Sequence, residues 1–329
     1  MQPIITYETH TVGEPTRIVV EGFPILEGST MMEKKEYLEK HYDHLRTALL
    51  CEPRGHKDMV GALITTPCHP AADIGVIFMD SYRWINMCGH ASMGCAYTAV
   101  KAGLVKSAGA DTEVKIDTPA GLVSVHVNPD TRECTLYNVP SFLYRKGCSV
   151  TLDGQMIPFD IAFGGTFFAL VNLNAIGQTL ENVHVPDMIT YAKRLLAEIN
   201  RHHTAIHPTE NIRRIVNVEF YEKQEPLDDQ LHYKNLVISE EGEVDRSPCG
   251  TGTSAELSAI YAEGGIGFQE SFINKSFLGA TFRASVTKDT TVGDFSAIIP
   301  SVTGKVYIIG KAENYLLEDD PYQAGFHVF

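Results

Sequence analysis

The sequence has few basic residues and no long hydrophobic run. Among 329 residues, Lys and Arg number 27 against 41 Asp and Glu, which gives a formal net charge of −14 at pH 7. This balance disfavours nucleic acid, whose binding depends on neutralised phosphates, and anionic membranes. No stretch of about 18 apolar residues occurs, so no transmembrane helix is predicted. The N-terminal residues lack the basic-then-apolar order of a signal peptide, which favours a cytoplasmic protein.

The chain also lacks the common patterns that bind metals or nucleotides. Its seven cysteines are an odd number without a Cys-x-x-Cys pair, which argues against a disulfide framework, and no His-Glu-x-x-His segment is present. The glycines of Gly250-Thr251-Gly252-Thr253 lack the third glycine of a dinucleotide fingerprint, and no P-loop is found. We therefore expect no metal site and no cofactor.

Two halves of the sequence follow one plan. In the first half, a helix is predicted from about Met31 to Leu50, with Thr30 and Glu33 as its capping box. Two strand-like segments then lead to Cys88 and a helix of small residues.

The second half repeats these elements about 160 residues later. A helix predicted from about Asp187 to Arg201 and two strand-like segments precede Cys249 and another helix of small residues. From cysteine to the glycine that ends the helix, the distance is 15 residues in both halves. The pattern indicates an internal duplication.

A chain of this length and an ordinary 44% hydrophobic content predicts two domains. We predict an α/β (α+β) fold class and expect two similar halves on either side of a cleft that holds the active site. We expect one domain to comprise residues 1–130 plus about 303–329 and to carry Cys88. The other comprises residues 131–302 and carries Cys249.

Cys-Gly stands at the predicted start of a helix in each half. The first amides of a helix have no intrahelical acceptors, and the helix dipole favours negative charge there. We therefore expect the thiolates to be stabilised, so that the thiol pKa falls toward neutrality. The following amides are suited to holding a carboxylate, and glycine allows its close approach; they belong to Gly89, His90, Gly250 and Thr251.

Two thiols around one anion site predict a reaction that removes a proton from one face of a carbon and returns one to the other. A single cysteine beside glycine is usually structural, but the duplicated position of Cys88 and Cys249 favours a catalytic pair. The other cysteines have no counterpart in the opposite half and are expected to be structural; they are Cys51, Cys68, Cys95, Cys134 and Cys148.

Two segments resemble the signature motifs of the proline racemase family. They are Met87-Cys88-Gly89-His90 and the long run Asp245-Arg246-Ser247-Pro248-Cys249-Gly250-Thr251-Gly252-Thr253-Ser254-Ala255. The similarity covers nearly the whole chain and includes Glu52-Pro53-Arg54-Gly55-His56, Asp160-Ile161-Ala162-Phe163-Gly164-Gly165 and Asp320-Pro321.

The resemblance implies a diaminopimelate-epimerase-like fold, in which each of two pseudo-symmetric domains wraps a sheet around a central helix. It also implies a cofactor-independent, two-base reaction on a cyclic imino acid. By position, Cys88 and Cys249 would be the acid and base, and His90 and Asp245 would contact the ring nitrogen of the substrate.

The family contains proline racemases, hydroxyproline 2-epimerases and 3-hydroxyproline dehydratases. Dehydratases commonly replace one cysteine, so the presence of both favours racemisation or epimerisation. Proline racemases typically carry Phe at the positions of Val60 and Ser239. Both residues are small here, and Val60 resembles the hydroxyproline epimerases, which carry Val at this position. Ser239 together with Asn217 would offer hydrogen bonds to a ring hydroxyl.

We therefore expect a 4-hydroxyproline 2-epimerase, with proline racemase as the first alternative and trans-3-hydroxy-L-proline dehydratase as the second. The segment 55–59 is more similar to racemases, and Ala91 departs from both groups. The expected partner is a small-molecule substrate, and a homodimer stays open. An imino-acid-binding protein without activity is the alternative of another class, but binding a carboxylate needs amides and not thiols.

Overall fold

The structure is a computed structural model that describes residues 3–181, 183–228 and 230–328. It divides into two compact units. The first ends at Leu136 and resumes at Lys305, and the second is Tyr137–Gly304. The chain thus passes between units a few residues after positions 130 and 302, the limits expected from the sequence.

The first unit combines strands with helices on the N-terminal part of the chain. In chain order, its elements are β1 (Ile4–Thr11), β2 (Glu14–Glu21), α1 (Met31–His41), α2 (Asp43–Leu50), β3 (Val60–Thr65), β4 (Ile74–Asp80), β5 (Trp84–Ile85), α3 (Gly89–Lys101), β6 (Thr112–Thr118), β7 (Gly121–Val127) and β8 (Glu133–Tyr137).

The sheet of the first unit has the order β1-β2-β3-β4-β6-β7-β8, and β5 pairs with β4. Residues 306–314 of the last strand pair antiparallel with β1, and the Val306 amide donates to the Arg132 carbonyl just before β8. The sheet thereby curls around α3, which packs against six of its strands. Every residue of this helix from Gly89 to Val100 is buried, which explains its small and apolar composition.

The second unit continues with β9 (Phe142–Leu152), β10 (Gln155–Phe163), β11 (Phe167–Asn172), a short 3₁₀ helix (Leu173–Ile176), α4 (Val185–His202), β12 (Ile215–Leu227), β13 (Gln230–Ser239), α5 (Gly250–Ala262), β14 (Ser271–Ser276), β15 (Thr281–Val292) and β16 (Phe295–Asn314). The strand order is β16-β15-β14-β13-β12-β11-β10-β9. Ser141, just before β9, pairs with Ile298 of β16 and closes this sheet around α5.

Strand directions confirm the internal duplication. In the first unit, β2 and β3 are parallel, β3 and β4 antiparallel, and β4 and β6 parallel, with α3 between the last two along the chain. In the second unit, β11 and β12, β12 and β13, and β13 and β14 repeat these directions, with α5 in the place of α3. The predicted α/β fold, a sheet around a central helix in each half, is confirmed.

The long helix predicted from Met31 to Leu50 is wrong in one respect, because Tyr42 divides it into α1 and α2. Asp43 begins the second helix, where the dipole favours an acid. Its carboxylate accepts hydrogen bonds from the Trp84 indole at 2.8 Å and from the Arg46 guanidinium at 2.7 Å. These partners fix a new helix start that the apolar periodicity does not reveal.

The capping box also differs in detail. Thr30 Oγ1 accepts from the Glu33 amide at 3.1 Å, as expected, but the Glu33 carboxylate accepts from the amide and hydroxyl of Ser29.

None of the described helices is both long and apolar enough to cross a membrane.

Candidate active site

Cys88 lies at the start of α3 in the first unit. It has an extended backbone with a φ of −144°, and its carbonyl accepts hydrogen bonds from the amide and hydroxyl of Ser92, at 3.0 and 2.7 Å. These contacts close the first turn, so Gly89 and His90 supply the first helical amides. This is the arrangement that binds anions at helix starts.

The imidazole of His90 lies against the thiol of Cys88. Its Nδ1 is 3.3 Å from Sγ, and its Nε2 is 3.7 Å away. The Thr11 hydroxyl donates to the His90 carbonyl at 2.9 Å and ties this turn to β1. Both side chains are buried, with 8% of Cys88 and 5% of His90 exposed. The first unit therefore places a thiol, an imidazole and helix amides at one point.

Cys249 lies at the start of α5 in the second unit. Its φ is +62°, a left-handed conformation that few residues other than glycine adopt without strain. The Gly252 amide donates to Sγ at 3.4 Å, and the Thr251 hydroxyl is 3.5 Å from Sγ. The predicted Gly250 and Thr251 are the first two residues of the helix.

The conformation of Cys249 is held by a chain of hydrogen bonds from Asp245. One carboxylate oxygen of Asp245 accepts from the amide of Ser247 at 2.9 Å and from its hydroxyl at 2.7 Å. The Ser247 hydroxyl in turn accepts from the Cys249 amide at 3.0 Å. Asp245 therefore supports the turn that carries the thiol.

The expectation that the helix start lowers the pKa of the thiol is wrong for Cys249. Burial, together with the carboxyls of Asp245 and Glu219, raises the pKa of Cys249 well above its ordinary value. The hydrogen bonds from Thr251 and Gly252 act in the opposite direction but do not outweigh these effects. The raised pKa favours the protonated thiol of Cys249, a form suited to donating a proton.

The structure also places the predicted pocket residues. Val60, half-buried, begins β3 in the first unit, where it pairs with Asp80. Asn217 and Ser239 face each other on β12 and β13 in the second unit. The Ser239 hydroxyl accepts from the Glu243 amide at 3.1 Å, which leaves its own proton for another acceptor.

The residues that sequence reasoning missed lie beneath the start of α5. Glu219, Asn235 and Asn274 come from three neighbouring strands and are fully buried, at 0% exposure each. Glu219 stands between the buried apolar residues Val218 and Phe220 of its strand, and Asn235 precedes the buried Leu236. That pattern is the signal that would have identified them, because buried polar side chains need partners.

The other five cysteines do not stand at the start of a central helix, but burial acts on four of them as it does on Cys249. Burial raises the pKa of Cys51, Cys95, Cys134 and Cys148. All seven cysteines are free thiols. No group of three His, Cys, Asp or Glu side chains within the described ranges is close enough to hold a metal ion.

Two repeated α/β units, each wrapped around a helix that begins at Cys-Gly, define a protein of the diaminopimelate-epimerase-like fold class. The family model described as "Proline racemase" matches residues 6–327 of this chain. The chain therefore belongs to the proline racemase family and is an isomerase.

Relatives of this chain are named as enzymes that act on different substrates. The chain is 42% identical to a proline racemase from Clostridioides difficile over 324 residues, which cover 97% of this chain and 96% of that protein. It is 34% identical to a 4-hydroxyproline 2-epimerase from Streptosporangium roseum, covering 97% of this chain and 96% of the relative.

A solved structure shows the same overall architecture. The crystal structure of a hydroxyproline epimerase from Agrobacterium vitis, with bound trans-4-hydroxy-L-proline, matches with a TM-score of 0.91 at 28% identity. The match covers 99% of this chain and 96% of that chain.

Proposed function

We propose that the protein inverts the α-carbon of a cyclic imino acid without a cofactor, with Cys88 and Cys249 as its two bases. The observation that supports this most strongly is the duplication itself. Each unit carries one cysteine at the start of its central helix, beside amides suited to an anion. A protein that only bound a carboxylate would need the amides but not a thiol in both units.

In this reaction, a thiolate removes the proton from Cα and becomes a thiol, while the C–H electron pair spreads into the carboxylate. The other thiol then donates its proton to the opposite face of Cα and becomes a thiolate. The amides of Gly89, His90, Gly250 and Thr251 stabilise the charge that develops on the carboxylate. The side chains of His90 and Asp245 contact the ring nitrogen.

The state of Cys249 gives the two thiols different roles in the resting protein. Because burial favours the protonated form of Cys249, we assign it the role of proton donor for one stereoisomer and give Cys88 the role of base. The roles exchange when the opposite stereoisomer reacts, so both directions need both residues.

We propose 4-hydroxyproline as the substrate. Val60 and Ser239 are smaller than the phenylalanines typical of proline racemases, and the Ser239 hydroxyl keeps a proton to donate to a ring oxygen. Asn217 is its direct neighbour across the strands. A ring hydroxyl then satisfies polar groups that proline leaves unpaired. Proline is the second candidate, because the relative at 42% identity is a proline racemase.

Incubation of the protein with separate imino acids in D₂O, followed by NMR and optical rotation, tests both proposals. The substrates are trans-4-hydroxy-L-proline, L-proline and trans-3-hydroxy-L-proline, and the double variant Cys88→Ser/Cys249→Ser is the control. We expect inversion with deuterium at Cα, fastest for trans-4-hydroxy-L-proline and absent in the control.

Other results would contradict specific parts of the proposal. Faster inversion of L-proline would overturn the substrate. Loss of the ring hydroxyl from trans-3-hydroxy-L-proline as the main reaction would identify a dehydratase. Binding of an imino acid with neither exchange nor inversion would identify a binding protein.

A further inference from the structure

A cluster of buried carboxyl and amide groups lies between the sheet of the second unit and α5. It consists of Glu219 on β12, Asn235 on β13, Asn274 on β14 and Glu256 on α5, and we call it the carboxyl–amide cluster. At most 1% of any of these residues is exposed. Such a group of polar side chains is costly to bury unless its hydrogen bonds are made.

The hydrogen bonds of the cluster converge on the residue before Cys249. Asn235 Nδ2 donates to Glu219 Oε1 at 2.5 Å and to the Pro248 carbonyl at 2.7 Å. The Thr253 hydroxyl donates to the same carbonyl at 3.1 Å. Asn235 of β13 and Thr253 of α5 therefore hold the Pro248 carbonyl in place, directly before Cys249 with its left-handed φ.

The second half of the cluster joins this carbonyl to Glu256. Asn274 Nδ2 donates to the Thr253 hydroxyl at 3.1 Å and to Glu256 Oε2 at 2.9 Å. A continuous chain of hydrogen bonds, which includes the Pro248 carbonyl, thus runs from Glu219 through the start of α5 to Glu256.

Within the described residues, four oxygen atoms of the cluster accept no well-formed hydrogen bond. They are Glu219 Oε2, Asn235 Oδ1, Asn274 Oδ1 and Glu256 Oε1. A carboxylate has no proton to donate, whereas a neutral carboxylic acid has one. Two neutral acids would supply two hydrogen-bond donors to a cluster with unpartnered acceptors, and two buried carboxylates would add their mutual repulsion.

The charged groups around the cluster also favour neutral acids. Glu219 faces the thiol of Cys249 and the carboxyls of Asp245 and Glu256. Glu256 faces Glu219 and the hydroxyls of Tyr221 and Tyr233. The ammonium group of Lys223 also faces Glu256 and acts in the opposite direction, but it does not outweigh burial and the charge of Glu219. No ion pair with Lys or Arg is formed by either glutamate in the described part of the chain.

Burial accordingly raises the pKa of both acids. For Glu219 it raises the pKa to about 8, against the hydrogen bonds of Asn235 and Asn274 and with the charge of Asp245. For Glu256, burial and then the charge of Glu219 raise the pKa well above the ordinary value.

Glu219 is also close to the thiol itself. A Cβ added at Gly252, whose amide donates to Cys249 Sγ, would lie 2.8 Å from Glu219 Oε2 and 3.3 Å from that sulfur. A negative charge on Glu219 therefore opposes formation of the Cys249 thiolate, whereas a neutral carboxyl does not.

We propose that Glu219 is a positioning residue that must be neutral, and that its ionisation sets the upper pH limit at which Cys249 works. The proposal rests on the proposed role of Cys249 in catalysis. Glu219 does not touch the substrate in this scheme; it acts through the thiol and through the Pro248 carbonyl.

Glu219→Gln tests the proposal, because glutamine has the shape of the neutral acid but cannot ionise. We expect kcat at neutral pH close to the wild-type value, with loss of the decline in kcat above about pH 8. Glu219→Leu, which removes the hydrogen bond to Asn235, is expected to lower kcat more than it raises KM. The control is Glu222→Gln on the same strand, whose carboxyl accepts from the Leu180 amide and Gln224 and is outside the cluster.

The rate of Cys249 alkylation by iodoacetamide, measured by mass spectrometry against pH, gives a readout that does not depend on turnover. At about pH 9, we expect alkylation in Glu219→Gln to be about tenfold faster than in the wild type, because removing a neighbouring charge shifts a pKa by one unit or more. Glu222→Gln is expected to follow the wild type.

Two results would overturn the proposal. They are an inactive Glu219→Gln with a native circular dichroism spectrum, and an alkylation profile of Cys249 that is unchanged in this variant. If the variant does not fold, infrared spectroscopy of the wild type decides, since a carboxylic acid band absent at neutral pH would contradict neutral glutamates. Should Cys249→Ser retain full turnover, the proposed function fails, while the alkylation profile still decides the role of Glu219.

Discussion

Gly252 in the first turn of α5 has no room for a side chain. A Cβ placed there would lie 2.8 Å from Glu219 Oε2, 3.2 Å from Cys249 Cβ and 3.3 Å from Cys249 Sγ. The first distance requires the carboxyl or the helix start to move. Gly252→Ala therefore displaces the thiol, the carboxyl or the amide between them, although alanine favours the helix itself.

The size of the effect follows from two opposing contributions. Alanine in place of glycine stabilises a helix interior by about 0.5–1 kcal/mol. Overpacking of a rigid interior costs about 1–3 kcal/mol. The free energy of unfolding should therefore fall by no more than about 2.5 kcal/mol. If the displacement also affects the transition state by about 1–3 kcal/mol, kcat falls about 5- to 150-fold.

The assay measures kcat and KM by optical rotation and, separately, the thermal midpoint of unfolding, so that a loss of activity is distinguished from a loss of stability. Gly94→Ala in α3 is the matched control, because its Cβ would meet Thr9 Oγ1 at 3.2 Å and Ile18 Cδ1 at 3.4 Å, with no thiol or carboxyl among its nearest neighbours. We expect the loss of kcat in Gly252→Ala to exceed that in Gly94→Ala. Wild-type activity in Gly252→Ala, or equal losses in the two variants, would refute the reasoning.

Three further results are expected. Pyrrole-2-carboxylate, whose planar ring resembles the transition state, should slow the alkylation of Cys88 and Cys249 by iodoacetamide but not that of the half-buried Cys68; peptide mass spectrometry checks this. Val60→Phe should lower the ratio of kcat/KM for trans-4-hydroxy-L-proline over L-proline, by about 10- to 200-fold, since it fills the space left for a ring substituent. An unchanged ratio would contradict the epimerase proposal. Between about pH 4.5 and 8, the free energy of unfolding of Glu219→Gln should rise relative to that of the wild type. In this pH range Glu219 ionises in the unfolded wild type but stays protonated in the folded protein, so the wild-type protein loses stability as the pH rises. Chemical denaturation at several pH values measures the difference.

Local patterns and the duplication predicted much of this fold. Cys-Gly before a run of small residues correctly marked the starts of α3 and α5, because a helix enclosed by a sheet has little space for side chains. The division of the helix at Tyr42 was not predictable, since it depends on Trp84, which is distant in sequence but donates to Asp43.

The site was predictable in part for the same reason. Cys88, Cys249 and the first helical amides stand in short motifs, so their local geometry follows from the sequence nearby. The carboxyl–amide cluster is assembled from three strands and a helix, so no local motif brings its members together. The pKa of Cys249 also depends on burial, which a motif does not show, and the helix start alone predicted the wrong direction.

The two-base reaction is tested most directly by inversion of the α-carbon in Cys88→Ser and Cys249→Ser. Optical rotation and deuterium incorporation are measured for both stereoisomers of the best substrate, with Cys95→Ser on α3 as the control. Loss of an acid or base is expected to reduce inversion about 10²- to 10⁴-fold in each variant and in both directions, while the control keeps most of its activity. Inversion near the wild-type rate in either Cys88→Ser or Cys249→Ser would show that the missing thiol is not one of the two bases.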